Sequence, residues 1–231
     1  APPLHGRYRR LLEKVFSVAN VRALKPRIDA LCHELVDRFV ERGHCEFIEP
    51  NLLQVDGTNI RAARTVIAAG SRPVVPEPWR RFGDRLLTTD TLFEQRRLPH
   101  DVAVVGLGVV GLEIGQALAR MGINIVGFDA LDRIGGLQDP EVNREAIEIF
   151  GRDLPIHLNA EVDLQEANGR LRVEGGGASV VVDKVLLSIG RISNADRLHL
   201  DRLGLKLDAR GLPPYDEQTL QVEGLPVFIA G

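Results

Sequence analysis

The apolar positions of this chain change period at a run of glycines. Val102-Ala103-Val104-Val105 is a continuous apolar stretch, Gly106-Leu107-Gly108-Val109-Val110-Gly111 breaks it, and apolar residues then resume at helical spacing through Leu112, Ile114, Leu118 and Met121. A second apolar run, Ile123 to Phe128, ends in Asp129. The pattern predicts strand, tight turn, helix and strand, a βαβ unit with an acid at its far end.

Elsewhere the periods are shorter. Leu24, Ile28, Leu31, Leu35 and Phe39 recur at intervals of three and four, predicting an amphipathic helix over 22–42 that ends near Gly43. Cys45 to Glu49, Leu52 to Val55 and Asn59 to Ile60 read as an antiparallel meander turned at Asp56-Gly57. Val66 to Gly70 and Lys184 to Arg191 read as two buried strands ending in glycine. Prolines 73, 76 and 78 mark a linker, in which Trp79 serves as an anchor. Thr88-Thr89-Asp90 is a helix cap. Asp139-Pro140-Glu141 opens a further helix with Val142, Ala146, Ile149 and Phe150 on one side. Pro155 to Leu158 predicts a strand, and Glu161 to Leu164, Leu171 to Glu174 and Ser179 to Val182 a second meander. Val227 to Ala230 is the last strand. Its distance in sequence from the first meander suggests one domain interrupted by another.

Composition adds little specificity. The chain has 231 residues, a net charge of −3, and 44% hydrophobic and 26% charged residues, ordinary for a globular protein. The acidic balance argues against a nucleic-acid surface, and Arg7, Arg9, Arg10 and Lys14 read as a solvated helix face. No apolar run reaches the roughly 20 residues of a membrane helix, and no signal peptide is present, so the expected location is cytoplasmic. Cys32 and Cys45 lack redox spacing and read as buried or incidental thiols. The six histidines show no ligand spacing, so no metal site is expected from the sequence. The absence of an initiator Met and the end in a strand at Gly231 suggest a fragment of a longer protein.

The glycine run carries the candidate chemistry. In a dinucleotide fingerprint the first glycine permits the tight turn, the second lets the backbone approach a pyrophosphate, and the third allows close helix–strand packing. Gly106, Gly108 and Gly111 hold these places. The phosphates would meet free N–H groups at the helix N-terminus, with Leu107, Val109 and Val110 contributing backbone. Asp129 lies about 20 residues on, where a carboxylate accepts from ribose hydroxyls and disfavours a 2′-phosphate, so NAD is expected over NADP. An alcohol-type dehydrogenase is disfavoured, because neither Tyr8 nor Tyr215 has a Lys four residues on.

Five ordered motifs then carry a resemblance. Val66-Ile67-Ala68-Ala69-Gly70-Ser71-Arg72-Pro73, the Gly106 fingerprint with Gly111-Leu112-Glu113, Asp132-Arg133 with Asp139-Pro140-Glu141, Ile189-Gly190-Arg191 with Asn194, and Gly224 to Gly231 resemble the pyridine nucleotide-disulfide oxidoreductases, most of all the dihydrolipoamide dehydrogenases. The resemblance implies an α/β fold of Rossmann-like FAD/NAD(P)-binding type, with a βαβ unit and a three-stranded meander, plus a partial flanking FAD domain. It implies NAD binding over 89–206 and a discontinuous FAD-binding part over 1–88 and 207–231.

The implied parent is a flavoenzyme passing hydride between NADH and FAD and electrons to or from a disulfide. The resemblance implies a homodimer of a kind that can belong to a multienzyme complex, with no nucleic-acid or membrane partner. By position, Glu113 and Gly190 would lie near the nicotinamide, Ala69, Gly70 and Arg191 near the flavin, and Val162 on the adenine side. Ala69 stands where the family usually has Thr, and Asp129 where it more often has Glu. The family's flavin glycine motif and redox cysteines would precede residue 1, and its ribityl-binding aspartate and dimerisation domain would follow Gly231. The fragment alone is therefore expected to be inactive. The alternatives are a non-catalytic nucleotide-binding module and a related flavin-dependent NADH reductase with another acceptor.

Overall fold

The computed structural model describes Pro26, Arg27 and residues 44–230. The helix expected over 22–42, the basic cluster and Cys32 lie outside the described residues apart from Pro26 and Arg27, which are helical. The described residues from 44 onward pack as two units, one of residues 44–67, 197–206 and 214–230, the other of residues 68–196 and 207–213.

In the first unit, β1 (Cys45–Glu49), β2 (Leu52–Val55) and β3 (Thr58–Arg61) form an antiparallel meander. Asp56 and Gly57 close its hairpin at φ 47° and 79°, the two positive angles a two-residue type I′ turn needs. A second strand pair is parallel: β4 (Thr65–Ile67) lies beside a strand near the C-terminus, Val227–Ile229. The stretch from Val66 to Gly70 is thus not a long buried strand. Only three residues are extended, and Val66 is 62% exposed because β4 has a single strand neighbour and covers one face only.

In the second unit, β5 (Ser71–Pro73) precedes a 3-10 segment, Glu77–Arg85. The proline-rich stretch is therefore ordered structure and not a linker, since Pro at the first helical positions loses no intrahelical hydrogen bond. Trp79 packs with buried Phe82 against the core, in keeping with an anchor. β6 (Leu86–Leu87) follows, then the single-turn α1 (Thr89–Leu92), closed by a reciprocal cap between Thr88 and Thr91.

The centre is β7 (Asp101–Val105), α2 (Val109–Arg120) and β8 (Asn124–Phe128), the expected βαβ unit. α2 buries Gly111, Leu112, Gly115 and Leu118 and stops before Gly122, whose φ of 88° suits a helix terminus. α3 (Pro140–Phe150) starts where Asp139 accepts from the N–H groups of Glu141 and Val142 at 2.8 and 3.1 Å. Its inward face is the expected one only in part. Ala146, Ile147 and Phe150 pack on the core, whereas Val142 and Ile149 are exposed, because the helix presents the stripe one position round from them.

β9 (Ile156–His157) ends the crossover. β10 (Asp163–Ala167), β11 (Arg170–Gly175) and β12 (Ala178–Val182) make the second meander, turned at Asn168-Gly169, and β13 (Lys184–Leu187) and β14 (Arg191–Ser193) follow. β15 (Val227–Ile229) is the strand already paired with β4.

Five parallel strands stand in the order β6-β13-β7-β8-β9. Their side chains alternate between two cores. Ala103, Val105, Val185 and Leu187 join Leu164, Leu171, Val173 and Val182 of the meander, while Val102, Val104 and Leu186 face Leu112 and Leu118 of α2. Burial on both faces explains why these strands read as continuous apolar runs. Both edges of β7 are paired, so its carboxyl end sits at the middle of the sheet, beside β13 where the connection reverses, the place where open α/β sheets hold ligands.

Candidate functional site

The glycine turn is built by backbone contact. Gly106 leaves β7 at φ 94° and donates to the Phe128 carbonyl at 2.8 Å. A Cβ on Gly106 would press on the Ser188 carbonyl, and one on Gly111 on the Gly106 carbonyl, both inside 3.0 Å. These positions accept only glycine because the end of β7, the first turn of α2 and the end of β13 are stacked at backbone distance. Gly108 is the N-cap of α2 and no side chain caps it, so the orphan N–H groups of the first turn are left for water or a ligand.

Asp129 fixes the other side of the turn. Its Oδ2 accepts from the Leu107 N–H at 2.6 Å and its Oδ1 from the Leu131 N–H at 2.8 Å. The acid at the end of β8 therefore clasps the glycine loop. Leu107 is buried, its side chain lying over Gly127, so it supplies core packing and an anchored amide.

Beside the helix N-terminus is a cleft of about 190 Å³ lined by Pro73, Thr89, Gly108, Val109, Val110, Leu187, Ser188, Gly190 and Arg191. Five of the expected binding residues, Gly108, Val109, Val110, Gly190 and Arg191, meet in it. Pro73, Thr89, Leu187 and Ser188 are further lining residues: the β6-β13-β7 order brings Thr89, Leu187 and Ser188 there, and the pairing of β5 with β14 brings Pro73. Arg191 is held by Ser71, donating to Oγ at 2.8 Å and to the carbonyl at 2.6 Å, and by Thr89 Oγ1 at 3.0 Å. Asp90 stands 3.7 Å from the same guanidinium.

The remaining expected residues lie outside the cleft lining. Glu113 is exposed on α2. Val162 packs against the meander core beside Gly175. Ala69 and Gly70 are exposed, and their carbonyls accept from the Asn194 side chain at 3.0 Å and the Asn194 N–H at 2.9 Å. Asn194 also accepts from Arg72 at 3.2 Å, and Arg72 pairs with both oxygens of Asp196 at 2.9 and 2.5 Å. These bonds fasten the β5–β14 ribbon that borders the cleft.

Residues 5–231 match the family model for pyridine nucleotide-disulphide oxidoreductases. The chain belongs to that family. It is 31% identical over 198 residues to the mercuric reductase of Staphylococcus aureus, covering 82% of this chain and 36% of the relative. It is 30% identical over 171 residues to the dihydrolipoyl dehydrogenase of Chlamydia pneumoniae, covering 73% of this chain and 37% of the relative. Among solved structures, the HOCl-induced flavoprotein disulfide reductase RclA from Escherichia coli superposes with a TM-score of 0.72 at 24% identity, over 82% of this chain and 44% of that one. The chain thus spans less than half the length of these relatives, and the fold is the mixed α/β FAD/NAD-binding fold of the flavoprotein disulfide reductases. Among the described residues no helix is long and apolar enough to cross a membrane.

Proposed function

We propose that this chain is the NAD(H)-binding central part of a flavoprotein disulfide oxidoreductase of dihydrolipoamide dehydrogenase type. Residues 89–206 would carry the nicotinamide nucleotide, and residues 1–88 with 207–231 would belong to the FAD side. The observation that carries the reading is the uncapped N-terminus of α2 opening onto the cleft. Pyrophosphate there gains N–H donors and the positive end of the helix dipole without displacing an existing cap.

The residues fit the group. Gly108 leaves room at the helix entry, Val109 and Val110 give the cleft an apolar wall, and Asp129 stands at the end of β8. Asp129 keeps unused lone pairs, since each oxygen accepts one backbone bond and can take a second from a ribose hydroxyl. Its charge opposes a 2′-phosphate, which favours NAD over NADP. Arg191, tethered to Ser71 and Thr89, would border the nicotinamide and flavin side together with Gly190, with Ala69 and Gly70 on the flavin part. When bound, nicotinamide and flavin supply hydride and electron transfer, and the protein supplies position and electrostatics. In the parent enzyme the electrons would pass to or from a disulfide, as in the dihydrolipoyl dehydrogenase relative. A related flavin-dependent reductase with another acceptor is the second reading, favoured by the similar identity to a mercuric reductase.

NADH titration followed by fluorescence tests the site. Saturable quenching or enhancement is expected, and a flat titration on folded protein overturns the proposal. Asp129→Asn should lower the preference for NADH over NADPH by tenfold or more, equivalent to about 1.4 kcal/mol. An unchanged preference would remove the ribose argument.

A further inference from the structure

The first unit gathers two histidines and a carboxylate that are scattered in sequence. His44 Nε2 lies 3.5 Å from Glu46 Oε2, and His199 Nε2 lies 3.7 Å from the same oxygen. All three ligand atoms fall within 4.8 Å of one another. Four ligands at about 2.0–2.1 Å around a tetrahedral ion are separated by roughly 3.3 Å, so the cluster stands close to a chelating geometry before any ion enters.

The backbone sets up this meeting. Phe47 in β1 donates to the Leu198 carbonyl at 3.0 Å, which lays the loop bearing His199 against the strand bearing Glu46. His199 is then held at φ 54°, an uncommon angle for a residue with a side chain and one that tends to occur where geometry serves a function. Its Nε2 lies towards Glu46, and its Nδ1 is 3.9 Å from Asp201 Oδ1, beyond hydrogen-bond reach. Glu46 is largely covered and is aimed by Arg202, whose Nη1 lies 3.0 Å from Oε2.

We propose that His44, Glu46 and His199 form a binding site for a divalent transition-metal ion such as Zn²⁺, separate from the glycine-loop cleft. Two imidazoles and one carboxylate supply three ligands and water a fourth. This donor set suits Zn²⁺, Co²⁺ or Cu²⁺ better than Mg²⁺ or Ca²⁺, which prefer all-oxygen shells. Arg202 must give up part of its bond to Glu46 when the ion binds, so the site is weaker than a dedicated structural zinc centre. The exposure of both imidazoles makes it suited to reversible loading.

The test uses the full 231-residue chain carrying Cys32→Ser and Cys45→Ser, which removes thiols as competing ligands. Calorimetric titration with Zn²⁺ should show one equivalent bound, and Co²⁺ should give the ligand-field absorption of a low-coordinate site. His44→Gln should weaken Zn²⁺ binding at least tenfold. His199→Asn, which tolerates the positive φ, should do the same with no loss of thermal midpoint in the absence of metal. Binding that survives both substitutions, or no stoichiometric binding to the parent chain, overturns the assignment. NADH titration is a separate measurement, so failure here leaves the nucleotide reading untouched.

Discussion

Gly106 and Gly190 follow neighbouring parallel strands at φ 94° and 110°, and glycine is required at each for a different reason. At Gly106 a side chain would collide with the Ser188 carbonyl, and Gly111 adds a second collision with Gly106 itself. At Gly190 no heavy atom lies within 4 Å of where a Cβ would stand, so the requirement is conformational, and the vacant space belongs to the cleft. An apolar run ended by glycine therefore encodes two devices. One closes backbone on backbone at the centre of the sheet, and the other opens room next to it.

The largest effect should come from breaking the closed device. Gly111→Val puts a branched side chain against backbone that cannot yield, and overpacking of this kind costs about 3 kcal/mol or more. In a chain of this size that lowers the thermal midpoint by roughly 6–12 °C. A fall of less than about 2 °C in a melting experiment would mean that the helix–strand contact relaxes. Gly190→Ala sharpens the contrast. It meets only backbone strain, on the order of 1–2 kcal/mol, and should weaken NADH binding more than it lowers the midpoint. If it destabilises as much as Gly111→Val, the distinction between closing and opening glycines fails.

The same distinction explains what was legible in the sequence. The strands β7, β8 and β13, helix α2 and the turn at Asp56-Gly57 were readable, because period and turn chemistry are local properties. The glycine fingerprint located the turn for the same reason. Thr89, Leu187 and Ser188 were not readable as site residues, because they reach the cleft only through the β6-β13-β7 strand order. The clasp from Asp129 to the Leu107 amide is hidden for a related reason: spacing places an acid at a strand end but does not say which donors its oxygens meet. Helix α3 shows a finer limit, since Val142 and Ile149 fit an apolar face as well as the half-buried Ala146 and Ile147 do. His44 and His199 lie too far apart for any spacing rule, and they meet through the β1 hydrogen bond to Leu198 and the contacts of Glu46 with His199 and Arg202.

The opposite end of β7 offers the smallest and most specific test, because charge there replaces steric closeness. Asp101 accepts from Asn124 Nδ2 at 2.8 Å and pairs with Arg170, which reaches it from β11. The Asn124 amide first, and then the Arg170 guanidinium, hold the Asp101 carboxyl below the usual carboxylate range in spite of its partial burial. A lowered folded-state pKa means that the stabilisation is complete above the unfolded value of about 3.9 and is lost as pH falls through the folded one. Asp101→Asn should therefore cost under about 1 kcal/mol at pH 7, since the pair is partly exposed. The gap to the unsubstituted chain should shrink below about pH 3, where the wild-type carboxyl gains its proton. Urea unfolding at pH 7 and pH 3 measures both gaps. A gap that stays constant would show that the amide hydrogen bond alone, without charge, fastens the start of the strand whose other end the glycines close.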